Sequence, residues 1–249
     1  MNELNANVWK GFRDFVQKGF GLGLTEAQID LFKIYLNELK IWNEKFNLVS
    51  FKTDQELIYR HFADSLSALK YLSPGKKDDY NIVDLGAGAG FPGIPLKIAL
   101  PRIQLTLIES IKKKCDFLEN LVSKLSVDLT EIVNDRAENI GQNRNFREKF
   151  DVAVSRAFAK FSPNLEMGLP LVKKGGQLIL YKTESSAFGK EGVSSVEKAL
   201  GILCGKYSNH FCYELPGQAL KYCILVFEKT EPSSKQYPRK VGVPEKKQL

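Results

Sequence analysis

The stretch IVDLGAGAGFPGIP, residues 82–95, ends an apolar run in a carboxylate, Asp84, and follows it with Gly86, Gly88 and Gly90 at alternate positions. Glycines so spaced let the chain turn sharply and let a ligand come against bare main chain. The residues before them read as the end of a buried strand, and Ile94, Leu96 and Ile98 read as the start of a helix, so the glycines form a strand–loop–helix joint. In an open parallel sheet a ligand sits outside the carboxyl ends of the strands, beside the point where the strand order reverses. Other residues have the chemistry to meet it there. Glu109, about twenty residues past the glycines, either accepts two hydrogen bonds from a ribose diol or is a solvated loop acid. Asp135, Ala137 and Glu138 follow a third strand, where a side-chain acceptor and backbone amides can bracket an adenine ring. Ser155 and Arg156 end a fourth, where a guanidinium can hold a carboxylate, a phosphate or a base, or form a surface ion pair.

Two nucleotide ligands compete for such a crevice. Dinucleotide loops use G-x-G-x-x-G and rest a pyrophosphate on the helix N-terminus. Here the spacing is G-x-G-x-G after Asp84, with Phe91 and Pro92 following at once. That favours S-adenosyl-L-methionine, whose ammonium group Asp84 or nearby carbonyls can accept and which needs no phosphate cradle. A nicotinamide-dependent oxidoreductase and a non-catalytic RNA-binding module stand as the alternatives.

The elements that must hold these groups alternate. NIVDL, QLTLIES, LTEIVND, FDVAVSRAF and GQLILYK read as strands, with helices from Pro92 to about Ala99, over KKKCDFLENLVSKL and near 163–171. This is the rhythm of a parallel sheet. HFCYELPG and CILVFEK lie too close for a crossover helix and should pair as an antiparallel hairpin. Upstream the pattern is helical. Thr25 with Gln28 forms a capping box, Leu24 and Ile29 its staple, and Phe32, Tyr35, Leu36, Leu39 and Trp42 follow at helical spacing. Thr53 with Glu56 offers a second box before an apolar helix that runs to SPGKKDD, read as a linker. Trp9, Phe12 and Phe15 suggest an N-terminal helix packed on the domain. His61 and Asp64, one turn apart, either bond each other or the glycine loop or, the preferred reading, serve as a structural cap or an interhelix hydrogen bond, and they are not expected to be catalytic.

The whole is an α/β chain in three parts: a helical extension at 1–75, a catalytic domain at 76–231 and a basic tail at 232–249. Its 249 residues carry 36 Lys and Arg against 29 Asp and Glu, a formal charge of +7, which favours a polyanionic partner and nucleic acid over membrane. No run approaches a membrane span and none reads as a signal peptide, so a cytoplasmic protein is expected. Cys115, Cys204, Cys212 and Cys223 are scattered and the histidines are His61 and His210 alone, which predicts reduced, mostly buried thiols and no metal site. The tail holds Lys235, Arg239, Lys240, Lys246 and Lys247 against Glu245 alone. It reads as an RNA-binding segment with Arg239 and Lys240 on phosphate and Tyr237 free to stack on a base, or else as a flexible solubilising tail.

The blocks WNEKFNLVS, RHFADSL, DLGAGAGFPGIPLKI, AENI, SRAF and YPRKVGVP, in this order from residue 42 to 244, resemble the bacterial RsmG family, also called GidB. The resemblance runs from about Leu24 to the C-terminus. It implies a class I, Rossmann-like methyltransferase fold: a mostly parallel seven-stranded sheet with a terminal antiparallel hairpin. It also implies methyl transfer from S-adenosyl-L-methionine to guanine N7 in 16S ribosomal RNA. Carried over by position, the cofactor contacts fall on Gly86, Phe91, Ala137, Glu138 and Arg156. Asp84, Gly88 and Glu109 join them from the reading of the loop, and no residue is expected to act as a general base.

Overall fold

The computed structural model describes residues 3–72 and 79–249. The linker read at SPGKKDD, and with it the boundary at 75/76, falls mostly outside the described residues. Along the chain, helices α1 (Glu3–Phe20) and α2 (Glu26–Asn43) precede a short α3 (Asp54–Leu57), which continues as a wider π turn over Ile58–Ala63 and a 3-10 turn over Leu66–Lys70. Then come β1 (Asn81–Leu85), α4 (Gly93–Ala99), β2 (Gln104–Ile108), α5 (Lys112–Leu125), β3 (Thr130–Val133), α6 (Ala137–Gln142), β4 (Phe150–Arg156) and α7 (Phe161–Gly168). The chain closes with β5 (Val172–Thr183), α8 (Glu184–Phe188), α9 (Glu197–Ile202), β6 (Gly205–Glu214), β7 (Lys221–Lys229) and α10 (Val243–Lys246).

The strands form one sheet in the order β3-β2-β1-β4-β5-β7-β6. β1 to β5 pair in parallel, and β7 runs antiparallel to both β5 and β6. The order reverses between β1 and β4, which puts the switch point, and the crevice that goes with it, above those two strands. Strand periodicity then divides the core. Ile82 and Asp84 face α4 and the N-terminal helices, whereas Val83 and Leu85 face the layer of α6, α7 and α9.

Local chemistry explains the helical layer on the first face. Thr25 Oγ1 accepts from Gln28 N at 3.2 Å while Thr25 N donates to Gln28 Oε1 at 2.9 Å, a complete capping box, with Leu24 and Ile29 buried on either side. The same Gln28 amide donates to the carbonyls of Ile98 and Ala99, so the start of α2 also satisfies the end of α4. At the second cap the structure departs from expectation: Glu56 Oε2 accepts from Lys52 N, one residue short of the cap. Trp9 and Phe12 are buried in this layer, Trp9 stacked on Phe62 and Phe12 edge-on to Phe32. No helix among the described residues is long and apolar enough to cross a membrane.

Two expectations are corrected here. Cys212 and Cys223 are disulfide-bonded, because the β6–β7 register sets them directly opposite each other with Cα atoms 4.1 Å apart; Cys115 and Cys204 are free. The tail is neither flexible nor presented as read. Arg147 donates to the carbonyls of Tyr237, Ser233 and Ser234, Gln142 donates to Pro238 O, and the fully buried Lys229 donates to Ser233 Oγ. Tyr237 is 8% exposed in the core of the α6–α7 face, so its ring is not open to a base. The Arg239 guanidinium forks onto Glu166, itself fully buried in α7, with Nε at 2.8 Å from Oε1 and a terminal nitrogen at 2.6 Å from Oε2. A carboxylate so deep needs a cation, and the tail delivers one. Lys240 remains exposed.

Candidate active site

The loop after β1 holds Gly86, Gly88 and Gly90 at φ of +70°, +58° and +92°, the left-handed region that glycine enters without strain. At Gly90 space matters too, since a Cβ there would stand 2.6 Å from the Tyr35 hydroxyl. That hydroxyl donates to Ala89 O, and the Tyr35 ring stacks on Phe91 at 5.4 Å, so α2 presses the loop from outside the sheet. From inside, Asp84 Oδ2 accepts from Gly93 N at 2.8 Å, at the first residue of α4. Its other oxygen is buried without a partner, and burial raises its pKa to about 7 against the opposing pull of the Gly93 amide and Arg156. Glu109, at the end of β2, accepts from Gly88 N at 3.0 Å and from Ile111 N at 2.9 Å. A carboxylate thus grips the loop at each end.

Beside the loop lies a cleft of about 180 Å³ lined by Gly86, Glu109, Asp135, Ala137, Glu138 and Phe158, among others. The Phe158 ring lies against Gly86, where a Cβ would meet it at 2.3 Å. Glu138 is nearly buried: one oxygen accepts from Gly242 N at 2.9 Å, tying the tail to the cleft wall, and the other has no partner. The structure therefore joins Gly86, Glu109, Ala137 and Glu138 in one cavity. Gly88 and Asp84 stand behind it in the loop and beneath it.

Arg156 lies elsewhere. Its guanidinium pairs with Asp64 Oδ2 at 3.0 Å, donates to His61 Nδ1 and to the His61 carbonyl, and sits 5.1 Å over the Phe91 ring. Asp64 Oδ1 accepts from the Tyr213 hydroxyl at 2.6 Å. Burial, then Arg156, lowers the His61 pKa to about 3, so the ring is neutral and its Nδ1 accepts. Burial raises Asp64, with Arg156 opposing. The His61 ring lies 5.1 Å from that of Phe91 in the loop, and the side chains of both His61 and Asp64 meet Arg156. Their spacing in an otherwise apolar helical run marked them, but their cation comes from 95 residues away. Tyr35 and Tyr213 carried no signal beyond apolar periodicity.

A second cavity of about 370 Å³ opens on this side, at the carboxyl ends of β4 and β5, and Ala157 lines both it and the first. Two adjoining sites above one switch point are an arrangement for bringing two molecules together.

Comparison with known proteins decides which family uses this arrangement. The family model described as rRNA small subunit methyltransferase G matches residues 28–199. The chain belongs to that family. It is 39% identical over 226 residues, 91% of this chain and 93% of the relative, to Ribosomal RNA small subunit methyltransferase G of Listeria monocytogenes. It is 40% identical over 230 residues, 92% of this chain and 95% of the relative, to the protein of that name from Carboxydothermus hydrogenoformans. Among solved structures, a candidate sarcosine dimethylglycine methyltransferase from Galdieria sulphuraria matches with TM-score 0.54 at 11% identity, over 79% of this chain and 99% of that one. A candidate methyltransferase from Bacillus halodurans gives 0.51 at 13%, over 68% and 100%. At such identities the likeness is one of fold, the class I methyltransferase sheet with its antiparallel seventh strand.

The loop agrees with that membership and disagrees with a nicotinamide enzyme. Where a dinucleotide loop leaves the helix N-terminus open for pyrophosphate, here the Asp84 carboxylate already takes the Gly93 amide. A second anion there would face a buried acid. A sulfonium or an ammonium would be attracted by it.

Proposed function

We propose that this protein transfers the methyl group of S-adenosyl-L-methionine to N7 of a guanine in 16S ribosomal RNA. The observation that carries this reading is the pairing, across Ala157, of a cleft in which acids outnumber bases with one in which bases outnumber acids. Glu109, Asp135 and Glu138 line the first against Lys114 and Arg136, with Asp84 behind it; Arg60, Arg156 and Lys182 line the second, against Asp64. A cationic cofactor suits the former and a polyanionic acceptor the latter.

In this reading Gly86, Gly88, Glu109, Ala137 and Glu138 hold the cofactor, Asp84 and Phe91 support the loop behind it, and Arg156 lines the second cleft next to Ala157, which borders both. Glu109 already accepts one backbone amide at each oxygen and keeps lone pairs for the ribose hydroxyls. Bound there, S-adenosyl-L-methionine supplies an electrophilic methyl carbon. Guanine N7 presents a free lone pair and no proton, so the chain needs to orient it in line and needs no general base. His61, neutral and engaged by Arg156, is consistent with that economy of proton transfer. Residues 3–72 act as the helical cover of the loop and 232–249 as a strap over α6 and α7, whose exposed Lys235, Lys240, Lys246 and Lys247 take RNA phosphate while Arg239 anchors it. A ribosomal substrate puts the work of the enzyme in the cytoplasm.

The test is transfer of labelled methyl to small-subunit RNA from cells lacking this gene, mapped by borohydride reduction and aniline cleavage. Cleavage at a single guanosine is expected. Labelled RNA that resists this N7-specific cleavage overturns the proposed atom, and absence of transfer overturns the reaction.

A further inference from the structure

Methyl transfer in the proposed reading needs a seat for the acceptor base, and the sheet offers limited ground for one. The strand ends β1, β2 and β3 belong to the cofactor cleft; β4 and β5 end in the second cavity, which shares only Ala157 with the first. Its volume of about 370 Å³ falls in the roughly 300–1,000 Å³ range of small-ligand sites.

Its walls differ in kind. Tyr222, at the start of β7, is half-buried, and its ring lines the cavity beside that of Tyr213, 6.1 Å away. An aromatic face in such a place stacks on an extruded base. Lys182, near the end of β5, is held 4.9 Å over the Phe161 ring, and its ammonium donates to Ala159 O at 3.1 Å. An ammonium has three donors, so two remain for a ligand. Burial also holds its pKa below the usual lysine value, a cost that a further acceptor would relieve.

Guanine shows two adjacent acceptors on its major-groove edge, O6 and N7. An arginine fork spans both and would cover the lone pair that must react. In this cavity Asp64 and His61 hold the Arg156 fork, and Arg60 pairs with Glu56 at 2.9 Å. Lysine is a single point of charge and can take O6 alone. Adenine would turn an amino group toward that ammonium instead, donor against donor.

We propose, resting on the methyl-transfer reading above, that this cavity receives the target guanine with the Tyr222 ring against its face and the Lys182 ammonium on O6, leaving N7 free toward the cofactor cleft. The charges then also serve release. The base enters neutral and leaves cationic beside the Lys182 ammonium, while the charges of Arg60 and Arg156 are offset by Glu56 and Asp64. The product is therefore repelled where the substrate was not.

The experiment uses the full chain with S-adenosyl-L-methionine and small-subunit RNA from cells lacking the gene. Lys182→Met is expected to lower kcat/KM for RNA by about tenfold or more with cofactor affinity, read by titration calorimetry, unchanged. Lys182→Arg keeps the charge but brings a fork to N7, and is expected not to restore turnover. Tyr222→Leu is expected to weaken turnover on RNA, and Tyr222→Phe to recover most of what is lost. Should Tyr222→Leu fail to fold, the two lysine variants carry the test. RNA kinetics unchanged in Lys182→Met, full activity in Lys182→Arg, or a parallel loss of cofactor affinity overturns the pocket while leaving the methyl-transfer reading intact. A wild-type protein that does not methylate the RNA overturns that reading and the pocket with it.

Discussion

Removing Arg156 should damage the fold as much as the reaction. The Arg156 side chain is 14% exposed and its partner Asp64 6%, so the pair sits almost wholly out of water. Breaking a buried ion pair from one side costs about 3–5 kcal/mol, because the remaining charge is left uncompensated. That is a large part of the roughly 5–15 kcal/mol by which a domain is stable. In Arg156→Ala the orphan is Asp64, whose pKa is already raised by burial and loses its main opposing influence. Its folded pKa then stands further above its unfolded value. The folded state binds the extra proton, so the variant's stability falls as pH rises through that window and recovers as pH is lowered. Urea unfolding at pH 5 and pH 8 reads both effects. The double variant Arg156→Ala with Asp64→Leu, set against each single variant, removes both charges and should regain most of the loss, giving a strong favourable coupling in the cycle. Near wild-type stability in Arg156→Ala, no pH dependence, or additive losses in the double variant would refute the buried-pair account and return Arg156 to the role of a simple cofactor contact.

Gly88→Val should abolish cofactor binding with the fold retained, as seen by calorimetry and circular dichroism. The cause is backbone strain at φ +58° rather than a clash with protein, since a Cβ there meets nothing nearer than Gly86 O at 3.7 Å. Tyr35→Phe should raise the Kd for S-adenosyl-L-methionine modestly by freeing Ala89 O from its clamp, at a stability cost of about 1 kcal/mol read by urea melts. Cofactor affinity should rise with pH through about 7, as Asp84 gives up its proton to face a cation, and Asp84→Asn should flatten that slope in calorimetry at several pH values. Truncation after Thr230 should weaken RNA binding and flatten its salt dependence, and now also lower stability, because it strips Arg239 from the buried Glu166.

What the sequence disclosed and what it withheld follow physical range. The strand–loop–helix joint, the separate strands and the capping box at Thr25 depend on neighbours within a few residues, and β1, α5 and α2 lie where periodicity put them. A parallel sheet also collects the ends of its strands, and Gly86, Glu109, Ala137 and Glu138, named from those ends, line one cleft. Partners were not legible. The spacing offers Asp84 or nearby carbonyls to an ammonium, and in the structure Asp84 accepts from Gly93; it offers Glu109 to a ribose diol or to solvent, and in the structure Glu109 accepts from the Gly88 and Ile111 amides. Both are carboxylates in positions where a loop of exposed amides needs acceptors, and nothing in the spacing tells loop from ligand. Arg239 looked like a phosphate contact because its block is basic. Glu166, 73 residues earlier in an apolar run, was the anomaly that would have claimed it.

The same long-range bonds explain why so much of the chain outside the sheet has a bearing on the site. Three segments that could have been ornaments each hold one wall. α2 reaches the glycine loop through Tyr35, the π turn at Ile58–Ala63 brings His61 to Arg156, and the tail reaches Glu138 through Gly242. Each contact joins a buried or half-buried polar group to main chain or to a single charged partner, so none can slip by a residue without leaving an unpaired group out of water. Preorganisation of this kind is what an in-line transfer without proton chemistry requires: with no base to position, the rate depends on how firmly the two clefts on either side of Ala157 are held at a fixed separation.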